Sequence, residues 1–469
     1  MLYTIANNFS FSQETNDAYY DSHSFIQNGG VETLEQTPSL MAVAYTQSPE
    51  ILPPNAALEA RLSALEEEFA KIQTQDTKKE DETKWTNKFS GRVYFDSVQF
   101  SDQESLPGGR TSDNYVSLSE ARLSFSGKGY RNYDYSVEFF YGAAGSDNNT
   151  ALGNNYRVGI RDVYVGVKNV PVLDYVRVGH FRVETGLAYM GSPKFTTAMN
   201  YPGSANYLSL NRRVGTSSSQ HFADQQVRWF FAIFADQNSS FIANKAFIDD
   251  SPGIIYNTRL SMLPLYLDDG KLYLHIGGSF AYDNFSDSNM ARTISLKPGV
   301  TFANASPQLV LPTGFHADHI SLTGAEFAYT HRRFGVQSEL QAASYGRGRT
   351  IYGAYGEIRY FLTNAYRAYD KDNGVIGSPQ NIQGMKFTER SDGYCSVDSL
   401  GDWEIFAQWS YLNFNEIQRS SNQQDLTLGL NWFWNASTRM IFEYVHSMPE
   451  LNGNSKSCDI FATSLRVFF

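Results

Sequence analysis

Six arginines stand at positions from which their side chains could bind anions together. Four of them lie in runs of alternating apolar and polar residues, at positions that could share one inner face of a sheet: Arg122, Arg177, Arg259 and Arg359. Arg212 and Arg213 stand side by side at the start of another such run. A guanidinium presents a fork of N–H donors that matches the oxygens of phosphate and other oxyanions. The set therefore indicates an anion-attracting surface, provided that the fold brings these residues together.

Alternating runs of this kind continue from Lys88 to the end of the chain and read as β-strands. In one of them Leu426 and Leu428 lie on one parity, opposite Thr427 and Asn431. The lengths suit tilted transmembrane strands, which need about 9–11 residues or slightly more. Sixteen strands are expected, near 88–100, 115–127, 132–141, 156–168, 174–182, 213–222, 225–235, 254–263, 271–283, 319–331, 334–345, 350–361, 402–415, 424–434, 437–446 and 459–469.

The last run indicates where these strands lie. Phe461, Leu465 and the final residue Phe469 would lie on one face of this strand, and Ser464 and Arg466 on the other. The first face suits lipid, and the second suits a water-filled interior. No window approaches about 18 consecutive apolar residues, which excludes helical spans. The 30 Tyr, 33 Phe and 6 Trp fit the aromatic girdles of a membrane barrel. The sequence therefore predicts an all-β fold: a transmembrane 16-stranded antiparallel β-barrel in the bacterial outer membrane, over residues 88–469.

The connections alternate in length. Those after 115–127, 319–331 and 424–434 are tight, whereas 142–155, 183–212, 236–253 and 284–318 are long. Short periplasmic turns and longer outer loops are typical of transmembrane barrels. On this alternation the long connection 362–401 falls on the periplasmic side.

The N-terminal segment differs from the barrel in composition. The net charge is −11, and residues 1–83 hold 14 acids and 4 bases, which leaves −1 for residues 84–469. Residues 1–57 are polar without a sustained period, so we expect a disordered, low-complexity extension. The first eight residues lack a basic segment and a long apolar core, so no ordinary signal peptide is expected within them.

A short helix is expected between this extension and the barrel. Apolar residues from Leu58 to Ile72 recur at alternating spacings of four and three, the pattern of a coiled coil. The pattern predicts an α-helical coiled-coil stalk over 58–73, followed by a polar linker over 74–87. Because an isolated helix of this length is marginal, the helix could instead pack alone on another surface.

One segment carries a recognisable combination of motifs. The run Val176–Met199 contains a strand ending in Gly-His-Phe, a Gly-Leu step, and then Ser-Pro-Lys-Phe-Thr-Thr-Ala-Met. Together with segments 255–260, 355–363 and 426–432, this run resembles the phosphate-selective porin O and P family over roughly residues 88–469. Residues 1–84 lie outside the resemblance.

The resemblance implies a homotrimer of sixteen-stranded barrels, each with a third loop, here at about 183–212, folded into its own lumen. Lys194 matches the loop lysine that contributes to the family's constriction, and Arg259 matches a strand arginine of the family. Arg212 and Arg213 would close the inserted loop. Arg359 lies in a matching strand whose family position need not be basic, so it remains a candidate on strand parity alone.

Inward-facing acids limit what the family name implies for this chain. Glu120, Glu339, Glu357 and Glu404 share the parity of the arginines. One interpretation is that the charges pair across strands and line a general aqueous pore. The other is a basic lumen that prefers anions such as phosphate, since positive charge acts strongly where water is restricted. Both describe an outer-membrane porin, a passive diffusion channel for small hydrophilic solutes.

An outer-membrane anchoring protein is a second possibility, with the barrel as a plug and the N-terminal stalk as a periplasmic tether. The expected partners are small anions or other small solutes, outer-membrane lipid and two further copies of the chain, and no nucleic acid. No Ser stands with a His in a recognisable nucleophile pattern, so neither an enzyme nor a catalytic residue is expected. His316 and His319 have no third ligand at useful spacing, so no metal or other cofactor is expected.

Overall fold

The structure is a computed structural model that describes residues 61–68, 84–101, 114–143, 156–236, 253–285, 295–296, 309–310, 317–346, 348–389 and 395–469. Its main element is one sheet of long antiparallel strands. These are β1 (Thr86–Phe100), β2 (Tyr115–Gly129), β3 (Tyr133–Ala143), β4 (Tyr156–Val170), β5 (Asp174–Arg182), β6 (Arg212–Phe222), β7 (Val227–Asp236), β8 (Gly253–Leu267), β9 (Leu272–Asn284), β10 (His319–His331), β11 (Phe334–Tyr345), β12 (Arg349–Phe361), β13 (Asp402–Asn413), β14 (Asn422–Asn435), β15 (Thr438–Leu451) and β16 (Cys458–Phe468).

The sheet closes on itself. Each strand pairs with the next one along the chain, and β1 pairs with both β2 and β16. In the closing pair Val93 lies opposite Val467. The backbone groups of the wall therefore bond between strands with no free edge, as a membrane-spanning sheet requires. This confirms the predicted closed barrel of sixteen antiparallel strands.

Short elements complete the fold. Helix α1 covers 61–68, and α2 (Leu187–Met190) and α3 (Gly203–Tyr207) lie between β5 and β6. Between β12 and β13 the chain forms the 366–380 hairpin (Tyr366–Asp370 with Val375–Gln380) and the 385–400 hairpin (Met385–Glu389 with Cys395–Leu400). The remaining pieces are a 3-10 turn (Asp268–Gly270), a two-residue pair (Ser295–Leu296 with Leu309–Val310) and Asn454–Ser455 beside β15.

Side chains alternate across the wall. On β7 the exposed residues are Trp229, Phe231 and Ile233, whereas Phe230 and Phe234 are each 1% exposed. An apolar outward row is what the wall of a barrel in lipid requires, and an inward row would ordinarily be polar. Here the middle of the inward row of β7, from Phe230 to Phe234, is apolar as well, because it packs against Phe181 and Val183 in a buried cluster.

The predicted strand boundaries differ from the observed ones chiefly at prolines. The predicted run 254–263 stops before Pro264, but β8 continues to Leu267. The register of β8 and β9 shifts between Met262 and Leu265, so Pro264 sits at an irregularity where its missing N–H interrupts no regular ladder. β15 also extends past its predicted end at 446, and it continues through Pro449 to Leu451.

The structure describes only part of the N-terminal segment. Residues 61–68 of the predicted 58–73 stalk are helical and exposed. The 1–57 extension lies outside the described residues. Residues 58–60 and 69–73 of the stalk lie outside them too, so the coiled coil stays a prediction. The predicted linker 74–87 overlaps the barrel at its end, because β1 begins at Thr86. No helix among the described residues is long and apolar enough to cross a membrane.

Candidate functional site in the barrel lumen

The connection between β5 and β6, called loop L3 (183–211), is tied to inward-facing side chains of the wall. At its start, Asn257 on β8 accepts from the Glu184 N–H (3.0 Å) and donates to the Glu184 carbonyl (2.9 Å). The Glu184 carboxylate accepts two hydrogen bonds from Arg228 on β7, at 2.7 and 2.9 Å. Burial would raise the pKa of Glu184, but Arg228 outweighs burial and holds this pKa below its ordinary value. The start of L3 is therefore fixed to the wall by an ion pair.

The rest of L3 bonds to strands on other sides of the barrel. The donors and acceptors are inward-facing side chains of β11, β13, β14 and β16, so L3 crosses the interior. They are Gln341 to the Thr185 carbonyl (3.0 Å), the Ser204 N–H to Ser410 (3.0 Å), Asn431 to the Thr197 carbonyl (2.9 Å) and Arg466 to the Pro193 carbonyl (3.1 Å).

The 366–380 hairpin is the second element inside the barrel. It belongs to the connection between β12 and β13, which enters from the other end of the barrel than L3. Arg259 on β8 donates to the carbonyls of Asn373 (3.1 Å) and Gly374 (2.7 Å) at the hairpin tip. The hydroxyl of Tyr369 lies 2.7 Å from the Nδ1 of His275 on β9. The hairpin is therefore held against the wall formed by β8 and β9.

L3 and the hairpin meet each other in the lumen. Arg367 of the hairpin donates to the Phe195 carbonyl of L3. Leu187 of L3 packs in one buried cluster with Val375, and Met190 and Ile376 pack against that cluster. The two inserted elements together reduce the open cross-section of the barrel.

A cavity of about 490 Å³ remains beside these elements. Its wall side consists of β1 to β6, and the 366–380 hairpin lines its other side. Five arginines and three carboxylates line it: Arg92, Arg122, Arg177, Arg182, Arg212, Glu138, Asp162 and Asp370. We call this cavity the arginine chamber.

Some arginines of the chamber are bound to acids. Arg122 pairs with Glu120 and Glu138, each at 2.7 Å. Arg212 holds Asp162 through two hydrogen bonds of 2.9 and 3.1 Å. Positive charge in the chamber is therefore partly compensated.

Arg177 and Arg182 differ from this pattern. The guanidinium carbon of Arg177 lies 3.8 Å from the ring centroid of Phe181, and no ion pair joins Arg177 to a carboxylate among the described residues. Arg182 donates to the Gly191 carbonyl (3.0 Å) and to the Tyr201 hydroxyl (3.1 Å). Arg177 thus presents a stacked guanidinium to the chamber, and Arg182 fixes L3 beside it.

On the opposite wall, formed by β8 to β13, and on the 366–380 hairpin, buried arginines form ion pairs with buried carboxylates. Arg259 binds Glu326 at 2.9 and 2.7 Å, and Arg367 binds Glu404 at 2.8 and 2.7 Å. Both arginines and both carboxylates are at most 3% exposed. Arg359, also buried, lies 3.4 Å from Glu357 and donates to Thr330 at 3.2 Å. These arginines stabilise the inserted elements and the wall rather than facing open space.

The structure therefore divides the sequence-predicted residues. Arg122, Arg177 and Arg212 line the chamber together, whereas Arg259 and Arg359 are buried in the opposite wall. Arg213 points toward Asp236 on β7, with its Nε 3.7 Å from that carboxylate.

Lys194 lies in L3 between residues that line the chamber. Its ammonium is 5.7 Å from the ring centroid of Phe468 and makes no ion pair among the described residues. Glu184, a plausible partner on the same loop, is instead bound by Arg228. Burial lowers the pKa of Lys194, and Arg92 lowers it further. Lys194 therefore does not pair with Glu184.

Sequence reasoning missed three arginines of this region. Arg92 lines the chamber, but both parities of its run mix apolar and polar residues, so the inward face is ambiguous. Arg182 ends β5 and turns into L3, where strand parity no longer applies. Arg367 lies outside the barrel strands, and nothing in the sequence signals that its hairpin folds inward. Among the described residues, no group of three or more His, Cys, Asp and Glu side chains could hold a metal ion.

The model of the phosphate-selective porin O and P family matches residues 90–467. Similar solved structures include an anion-selective porin from Comamonas acidovorans (12% identity, TM-score 0.47, 82% of this chain and 100% of that chain). Another is the outer membrane channel DcaP of Acinetobacter baumannii (8% identity, TM-score 0.48, 82% and 97%). The trimer form of OmpT from Vibrio cholerae has 11% identity, a TM-score of 0.47 and coverages of 82% and 99%. No curated protein sequence matches the chain.

Proposed function

The chain belongs to the phosphate-selective porin O and P family, and from this premise we propose that its outer-membrane diffusion channel prefers anions weakly to moderately. The preference arises in the arginine chamber, with Arg177 and Lys194 as the main contributors. Arg122 and Arg212 add positive charge that Glu138 and Asp162 partly cancel.

The observation that carries this proposal is the difference in charge balance between the two sides of the lumen. Glu326 and Glu404 on the far wall are each held by a buried arginine, so they contribute little to the potential along an open path. Five arginines against three carboxylates line the chamber itself. Charge acts more strongly where water is restricted, because Coulomb interactions grow as the effective dielectric falls.

The proposal is tested by the reversal potential of the full-length protein in a planar bilayer under a salt gradient. We expect a sign that corresponds to anion preference, and a magnitude below that of an ideally selective anion pore. Inorganic phosphate added on one side should reduce the chloride current, because both anions would use the same arginines. A clearly cation-selective wild type would refute the anion preference and leave a general porin.

The assembly that fits this family resemblance is a homotrimer, with the 58–73 segment as a helical stalk on the periplasmic side. Residues 61–68 are helical, as this stalk requires, and they hold Leu62 and Leu65 at two positions of the four-three pattern. Leucines at this spacing favour a seam between helices.

Replacing Leu62 and Leu65 together by Ser should weaken the trimer in detergent. The measurement is the molar mass of the purified protein by light scattering over a dilution series. The matched control replaces Glu66 and Glu67 by Ser, which leaves the apolar seam intact. If deletion of residues 1–84 leaves the dissociation of the oligomer unchanged, assembly belongs to the barrel walls alone.

A further inference from the structure

The arginine chamber has two unlike sides. Its wall side supplies all five arginines, and the side formed by L3 and the 366–380 hairpin supplies none. Four residues on this second side have apolar side chains: Met190, Phe195, Val375 and Ile376. Met190, Phe195 and Ile376 are partly exposed, so a molecule in the chamber can contact them. The chamber therefore presents cations on one side and apolar surface on the other.

Polar side chains on the second side are bonded to one another. Asp370 accepts hydrogen bonds from the backbone N–H (3.1 Å) and the side-chain amide (2.8 Å) of Asn373. The Gln380 amide donates to the Ser378 hydroxyl at 2.8 Å. A ligand that contacts the apolar side chains therefore does not have to satisfy these groups, and it gains free energy by taking apolar surface out of water.

Arg177 is the guanidinium of the wall side that is best placed to bind a ligand. It is partly exposed, whereas three other arginines of the chamber are at most 5% exposed: Arg92, Arg122 and Arg212. Its guanidinium carbon lies 3.8 Å from the ring centroid of Phe181 and 5.1 Å from that of Tyr164. Aromatic rings hold a guanidinium by its faces, and the N–H donors along its edges are the groups that bind a carboxylate through two parallel hydrogen bonds.

The carboxylates of the chamber do not use these donors. Glu138 is bound by Arg122, and Asp162 is bound by Arg212. Among the described residues, no ion pair joins Arg177 to either of them or to Asp370. A carboxylate on a ligand can therefore bind Arg177 without displacing an acid of the wall.

We propose that the chamber binds small organic monocarboxylates with an apolar body in preference to anions that have no such body. Arg177 binds the carboxylate, and Met190, Phe195 and Ile376 contact the apolar body. The cavity volume of about 490 Å³ lies within the range of about 300–1,000 Å³ that is usual for small-molecule sites, so an aromatic ring fits. This inference rests on the proposed function for the role of the chamber arginines, and it names the class of solute that they bind.

Three probes separate the contributions of charge and apolar surface. Benzoate carries both, acetate carries the charge with a single methyl group, and benzamide carries the ring without the charge. Each is added at neutral pH to one side of a planar bilayer that contains the full-length protein, and the chloride current is recorded. The half-blocking concentration of benzoate should be about tenfold below that of acetate, because the ring leaves water on binding. Equal block by acetate and benzoate, or equal block by benzamide and benzoate, overturns the proposal.

Two variants test the two sides of the chamber separately. Ile376→Asn should raise the half-blocking concentration of benzoate at least threefold and leave that of acetate unchanged. Arg177→Gln should raise both. Val397→Asn, at an exposed valine of the 385–400 hairpin, is the matched control and should change neither. An Ile376→Asn channel that keeps the whole advantage of benzoate contradicts the proposal, and if this variant does not fold, the three probes on the wild type decide.

The outcomes distinguish this inference from the proposed anion preference. A wild type that is anion-selective in chloride but binds benzoate no better than acetate keeps the anion preference and overturns the organic-acid site. A cation-selective wild type that benzoate still blocks at about one-tenth of the acetate concentration refutes the anion preference and supports the site.

Discussion

Removal of the 366–380 hairpin should raise the single-channel conductance roughly twofold or more, because the current through an aqueous pore grows with its open cross-section. The chain can be rejoined across the gap by a short Gly-Ser linker. Tyr366 lies opposite Gln380, and Asn381 donates to the Asn364 carbonyl at 3.0 Å, so the two ends are adjacent. The measurement is the step size of channel insertions in a planar bilayer.

The deletion needs one accompanying change. Arg367 leaves with the hairpin, and Glu404 would then be a buried carboxylate without its cation. Such a loss costs about 3–5 kcal/mol, so the variant also carries Glu404→Gln. Glu326 keeps its partner Arg259 and needs no change.

The neighbouring 385–400 hairpin provides a matched control. It lies in the same connection, but its strand Met385–Glu389 is largely exposed and it is absent from the lining of the arginine chamber. Replacement of residues 386–399 by the same linker should leave the conductance near that of wild type; Glu404 is kept here, because its partner Arg367 is still present. If both replacements give the wild-type conductance, the 366–380 hairpin does not stand in the ion path.

The fold was predictable from the sequence because each barrel strand carries its own signal. Alternation along Leu426 to Trp434 or along Phe461 to Phe469 depends only on the two environments of a membrane wall, lipid outside and water or protein inside. The boundaries at Pro264 and Pro449 were not predictable, because proline is tolerated at a register shift or near the end of a strand, and pairing decides where those are.

The site was predictable only where strand parity applies. Parity alone places Arg122, Arg177, Arg259 and Arg359 inside, and all four face the barrel interior. It cannot say which of them an inserted segment will cover. Arg259 is covered because the 366–380 hairpin returns into the lumen, and that return depends on long-range contacts with His275, Glu404 and L3. Arg177 lines the chamber, and among the described residues no ion pair joins it to a carboxylate.

Lys194→Glu should shift the ion preference toward cations by about fivefold in the permeability ratio. Two unit charges about 6 Å apart interact by roughly 3 kcal/mol at an effective dielectric near 20, and water and the neighbouring arginines reduce that value. The ammonium has no ion pair within the described residues, so its replacement leaves no carboxylate orphaned. The introduced carboxylate would lie near Arg92 and Arg122, the arginines that act on Lys194 now. The reversal potential in a salt gradient measures the effect.

Two further variants decide whether the position or merely the charge of Lys194 matters. Lys456→Glu makes the same charge change in the exposed 452–457 connection, and it should move the reversal potential far less, because salt screens charge there within about 10 Å at 0.1 M. Lys194→Arg keeps the positive charge and should keep the wild-type sign. Equal shifts from Lys194→Glu and Lys456→Glu would mean that the overall charge of the protein sets the preference. No shift from Lys194→Glu would place the selective step elsewhere in the chamber, with Arg177 as the next residue to test, since its guanidinium has no carboxylate partner among the described residues.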